Sequence, residues 1–156
     1  MPPRILLDTW TFWQFWVPEV DRRRFLPADL QGTLSEYASG IISDAVRQGE
    51  VCASVLTFAG FHEHFLGKEN KWREKLRDEV RIAIMDVDLE VAMSLPKIPS
   101  NGTAVEKLDR LTLDMRLIAA TALRHNLTLI SVTHAVQCEG LEYVYARAGR
   151  MEVGGR

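Results

Sequence analysis

Two aspartates stand where an apolar segment stops or starts. Asp8 directly follows Ile5-Leu6-Leu7 in RILLDTW, and Asp114 falls in the first turn of the apolar stretch LDMRLIAATALRHN. Each has an ordinary structural explanation. An aspartate at a strand end caps the next helix by accepting from its first amides. An aspartate in a first helical turn interacts favourably with the helix dipole. A second chemistry is suggested by FHEHF, which carries His62, Glu63 and His64. On a helix, residues two apart point to different sides, so His62 and His64 do not match the i, i+4 pair of a helical zinc site. Cys52 lies inside VCASVLTF, where a reduced, buried thiol is expected. With Cys138 it does not make a disulfide framework.

The elements that must position these groups follow from hydrophobic spacing. The chain has 156 residues, 47% apolar and 26% charged, which suits one globular domain with its own core. A strand is expected at 4–7, then a short helix at 9–16 carrying the aromatic run WTFWQFW. Leu30, Leu34, Tyr37, Ile41, Ile42, Ala45 and Val46 recur at three and four, which predicts a helix over 28–48 that Gly49 stops. A second strand is expected at 51–58, passing into a helix near Thr57 that runs on through FHEHFLGKENKWREKLRDEV. A third strand (81–88), a short helix (89–95), a loop PKIPSNGT, a helix from about Thr112 to Asn126, a fourth strand (127–132) and a fifth (141–146) complete the series. Alternating strands and helices predict a single α/β domain over 1–148 with a mostly parallel sheet, followed by a frayed tail at 149–156. In such sheets ligands bind beyond the carboxyl ends of the strands, where the winding direction switches. Asp8 stands at such an end. No apolar run is long enough to cross a membrane, and the strand at 4–7 starts too early for a signal peptide. A cytoplasmic protein is the expectation.

Four segments together resemble the PIN domain, the nuclease fold of VapC-type toxins. RILLDT is similar to the family's opening strand and acid, and ASVLTFAGF to a strand-to-helix segment that normally contains a glutamate. LDMRLIAATAL is similar to the acid-bearing helix, and NLTLISVTHAV to the strand that usually ends in Thr-x-Asp. The most specific piece is Asp-x-x-x-Ile-Ala-Ala-Thr-Ala at 114–122. The resemblance implies a three-layer α/β/α domain with a central, mostly parallel sheet of four to five strands flanked by helices. It implies a ribonuclease that hydrolyses RNA phosphodiester bonds with Mg²⁺ or Mn²⁺. Clustered carboxylates repel unless a cation joins them, and these hard ions suit oxygen ligands. Asp8 and Asp114 would be the metal ligands and catalytic carboxylates, with Thr9 placing a carboxylate or a phosphate.

The chain also departs from that pattern. Gly60 falls where the glutamate belongs, Ser131 at the threonine position and Thr133 at the last aspartate, so two of four acids are replaced. Glu63 is three residues past Gly60 and shares its helical face, while His134 follows Thr133 and could serve as acid, base or phosphate contact. Both are candidate catalytic substitutes, with Ser131 and Thr133 as substrate-positioning groups. The rival reading is a catalytically degenerate PIN fold that binds RNA or protein.

RNA needs nearby positive charge. The net charge of −2 supplies none globally, which leaves Arg22-Arg23-Arg24 and the stretch Lys68 to Arg77 around Trp72. That stretch is interleaved with Glu69 and Glu74, as a solvated helix face would be. The aromatic run reads either as core or as an outward interface patch. The latter, with the 28–48 helix, would serve a homodimer or an antitoxin partner, the assemblies that the resemblance implies.

Overall fold

The structure is a computed structural model that describes residues 4–16, 34–59, 82–99, 111–133 and 136–147. Its sheet has five strands: β1 (Ile5–Leu7), β2 (Val51–Ser54), β3 (Ala83–Met85), β4 (Thr128–Ser131) and β5 (Tyr143–Tyr145). Their order is β3-β2-β1-β4-β5, and every pairing is parallel. The described helices are α1 (Thr9–Trp16), α2 (Glu36–Gln48), α3 (Val55–Ala59), α4 (Leu89–Ser94) and α5 (Leu113–Arg124), with a 3₁₀ turn at Leu95–Lys97.

Side chains alternate across a strand, so each strand feeds two cores. Ile5, Leu7, Val51, Ala53 and Ile130 face one layer with Phe12, Trp13, Ala38 and Ile42 of α1 and α2. Leu6, Cys52 and Leu129 face the other with Val91, Ile118 and Ala122 of α4 and α5. This is the expected three-layer α/β/α domain. The strands of such a sheet are buried on both faces, which is why ILL and VCAS read as continuous apolar runs. The connection leaving β1 leads outward to β2, whereas β4 leads the other way to β5. The winding direction therefore switches between β1 and β4.

Several boundaries differ from the sequence expectation. The second strand ends at Ser54 rather than 58, because the Ser54 hydroxyl accepts from the Leu56 amide (3.1 Å) and starts α3 there. The described part of the 28–48 helix begins only at Glu36, capped by Ser35, whose side chain accepts from the Ala38 amide. Leu34, counted on the helical stripe, instead pairs with Arg147 in an isolated antiparallel bridge. The third strand stops at Met85, and Asp88 accepts from the Val91 amide (2.9 Å) to cap α4. The start of the 28–48 helix, the helix beyond Ala59, the loop around residue 101 and the 149–156 tail lie outside the described residues.

The aromatic run settles largely inward. Phe12 and Trp13 are buried, and Trp10 and Phe15 pack against the same core. α1 is covered by more than the sheet: Phe58 of α3 meets Phe12 edge-on at 5.3 Å, and Trp10 meets Trp13 in the same manner at 5.2 Å. A helix clasped from several sides can bury most of its circumference. The Trp16 side chain is outside the described set.

Candidate active site

β1 lasts three residues and delivers Asp8 to the carboxyl edge of the sheet, beside the end of β4. Its backbone amide donates to the Ile130 carbonyl (3.1 Å), and its carbonyl accepts from the Phe12 amide (2.9 Å) as the first bond of α1. The carboxylate Oδ1 accepts from the Thr11 amide (2.7 Å), which is N-cap geometry. Oδ2 accepts from the Ser131 hydroxyl (2.6 Å) and the Val132 amide (3.2 Å), both from β4 and its exit. Asp8 is thus a cap and also a clamp across the switch point. It is only 4% exposed. Burial pushes its carboxyl above the ordinary aspartate range, and the donors from Ser131, Thr11 and Val132 oppose that rise without cancelling it.

The residues around this acid bond to one another as well. Ser131 and Thr133 are buried, and the Thr133 amide donates to Ser131 Oγ (3.2 Å). Thr9 Oγ1 lies 3.2 Å from Thr57 Oγ1 on α3, a hydroxyl pair that links α1 to α3. Tyr143 of β5 donates from its phenol to the Thr133 carbonyl (2.5 Å).

Asp114 reaches the same edge by a different route. The turn from α5 into β4 is three residues, with Asn126 at a positive φ of 57° and the Leu127 amide donating to the Ala122 carbonyl (2.9 Å). So short a reversal makes α5 antiparallel to β4 and sets its first turn at the end of the sheet where β1 and β4 finish. Thr112 caps the helix by accepting from the Met115 amide (3.2 Å). Asp114 is exposed two residues on, and among the described residues no hydrogen bond or ion pair engages it. Arg116 does not turn to either acid: it donates to the carbonyls of Leu95 (3.3 Å) and Ile98 (3.2 Å) and pins α5 to the end of α4.

Gly60, His62, Glu63, His64 and His134, together with the basic stretches at 22–24 and 68–77, lie outside the described residues. Sequence reasoning missed Val132, Thr11 and Tyr143. The first two act through main-chain amides, though the Asp8-x-x-Thr11 spacing is that of a cap. Nothing local in the sequence marks Tyr143.

The PIN domain family model matches residues 5–133. The chain belongs to the PIN domain family. Three solved structures of similar fold extend the comparison. VapBC2 from Rickettsia felis, bound to a promoter DNA fragment, is 14% identical with a TM-score of 0.54, over 90% of this chain and 97% of that one. DNA-bound VapBC from Salmonella typhimurium is 17% identical with a TM-score of 0.54, over 92% and 98%. FitAcB from Neisseria gonorrhoeae is 20% identical with a TM-score of 0.51, over 89% and 95%. No curated protein matches the chain.

PIN domains of the VapC type generally use a divalent metal, and carboxylate oxygens are the donors that a hard divalent ion takes. Asp8 accepts from the Thr11 amide at Oδ1 and from Ser131 and Val132 at Oδ2, and an ionised carboxylate is the acceptor such an ion takes. Asp114 offers a further unengaged carboxylate at the same edge. Mg²⁺ retains several waters and is often held by one or two carboxylates plus substrate phosphate. Among the described residues no group of three or more His, Cys, Asp or Glu gathers, so the described donors do not make a two-metal cage. No described helix is long and apolar enough to cross a membrane.

Proposed function

We propose that this PIN domain is a VapC-like ribonuclease that hydrolyses RNA phosphodiester bonds with Mg²⁺ or Mn²⁺, in the cytoplasm and under the control of an antitoxin protein. The observation that carries the reading is Asp8: a carboxylate held desolvated by three donors at the switch point, where α/β sheets bind ligands. A cap alone needs one of those bonds. Asp8 and Asp114 would hold the ion, with Ser131 and Val132 fixing the Asp8 carboxylate. When bound, the ion supplies a more acidic water and charge stabilisation at the phosphate. Glu63 and His134 are the nearest sequence candidates to move protons, and Thr133 to contact substrate. The likeness to VapBC and FitAcB structures supports a protein partner of the antitoxin kind, and a homodimer goes with that reading.

Thr133 at the last acidic position favours a second reading, a PIN fold that retains RNA or protein binding without hydrolysis. One experiment separates them. Purified protein is incubated with single-stranded and structured RNA, with Mn²⁺, with Mg²⁺ and with chelator. The ribonuclease reading expects ion-dependent cleavage that Asp8→Asn and Asp114→Asn each reduce by at least about a hundredfold, the size of a lost transition-state contact. Cleavage undiminished in Asp8→Asn assigns the activity elsewhere. Salt-sensitive RNA binding without cleavage supports the module.

A further inference from the structure

The clamp on Asp8 does not end at Ser131. The Thr133 amide can only donate, so Ser131 Oγ is the acceptor in that bond and its own proton goes to Asp8. An ionised carboxylate can only accept, which gives the chain a single sense. Thr133 is fixed on both sides: its amide is held by Ser131 and its carbonyl by the Tyr143 phenol at 2.5 Å. Tyr143 comes from the edge strand β5, in register with Leu129, and its ring packs in the core layer that holds Leu129 and Val136. The backbone bends at Val132, straight after β4. The phenol therefore ties that bend to the sheet.

We infer that Tyr143 is a positioning residue for the Asp8 site: its hydroxyl holds the Thr133 carbonyl and so sets the Ser131–Thr133 bend that presents a hydroxyl and an amide to Asp8. Its effect on ion binding rests on the metal reading above, whereas its effect on the bend does not. Groups that orient a metal ligand change affinity without touching the ion.

Tyr143→Phe removes the hydroxyl and keeps the ring in its layer. Native-state amide exchange should become several-fold faster at Val132 and Thr133 and stay unchanged at Leu6 and Leu129 in the central strands. Mn²⁺ affinity, read from free Mn²⁺ by electron paramagnetic resonance, should weaken about tenfold. Ser131→Ala should weaken it too, and adding Tyr143→Phe to that variant should cost clearly less than tenfold further, because only the Val132 amide is then left for the bend to present. Ser131→Thr keeps the hydroxyl and should keep the Tyr143 effect, which covers the case in which Ser131→Ala does not fold. Tyr37→Phe, on an exposed tyrosine of α2, should change none of these. Unchanged exchange at Val132 and Thr133, equal acceleration throughout the sheet, or a full tenfold loss on the Ser131→Ala background would overturn the inference. Wild-type protein that binds no Mn²⁺ refutes the metal reading instead, and amide exchange then decides the role of Tyr143.

Discussion

Asp8 is held by two opposed tendencies. Three donors favour its charge, whereas near-complete burial disfavours it, and burial is the larger. A stability signature follows. The unfolded carboxyl titrates at about 3.9, and the folded one higher. Between those values the folded state holds a proton that the unfolded state has lost, so unfolding free energy falls as pH rises. The Asp8 contribution is fully present below about pH 3.9 and is lost as pH passes the folded value. Urea unfolding of wild type and Asp8→Asn, without metal, should show the difference (wild type minus variant) declining through that window and level above it. A difference that rises with pH would mean that the donors outweigh burial. In that case the site holds its charge without help from a cation.

At the scale of elements, the turns decide where functional side chains end up. Gly49 closes α2 at φ +69°, with the Ala45 and Val46 carbonyls as hydrogen-bond partners, and a Cβ there is strained regardless of space. Gly40 lies inside the same helix, and a Cβ added there would meet nothing within 4 Å. Gly49→Ala should destabilise by about 1 kcal/mol, and Gly40→Ala should stabilise by about 0.5–1 kcal/mol. Chemical denaturation of the two variants checks the pair, and equal shifts would refute the assigned backbone conformations. The same local physics explains how much is legible in the sequence. ILL followed by Asp8, and Asp114 opening LIAATAL, can be read directly, because strand ends and helix starts leave local marks. VCASVLTF reads as strand past its true end at Ser54, since an unbroken apolar run does not separate buried strand from helix. Leu34 fits the helical spacing, yet its bridge to Arg147 is a contact across the chain that spacing does not encode. The Val132 amide and the Tyr143 phenol are invisible for related reasons: one is backbone, and the other depends on the register of β5 against β4.

Across the whole molecule, the Asp8 clamp joins β1 and α1 to β4 at the middle of the sheet, between the two core layers. An ion at Asp8 would therefore be bound by the folded chain and not by the unfolded one, and its binding would appear as global stability. At a free Mn²⁺ concentration one hundred times the dissociation constant, that gain is about 2.7 kcal/mol, or roughly 5–10 °C in thermal midpoint for a chain of this size. Asp8→Asn should lose the gain, and Asp114→Asn should shrink it by weakening the affinity. The gain should also grow with pH, because the ion and the proton compete for one carboxylate that burial already leaves reluctant to ionise. Differential scanning calorimetry across pH, with and without Mn²⁺, reads both effects. An equal Mn²⁺ shift in wild type and Asp8→Asn would place the ion elsewhere on the protein. No shift at any pH would leave Asp8 as a structural clamp and favour a PIN fold that binds without cutting.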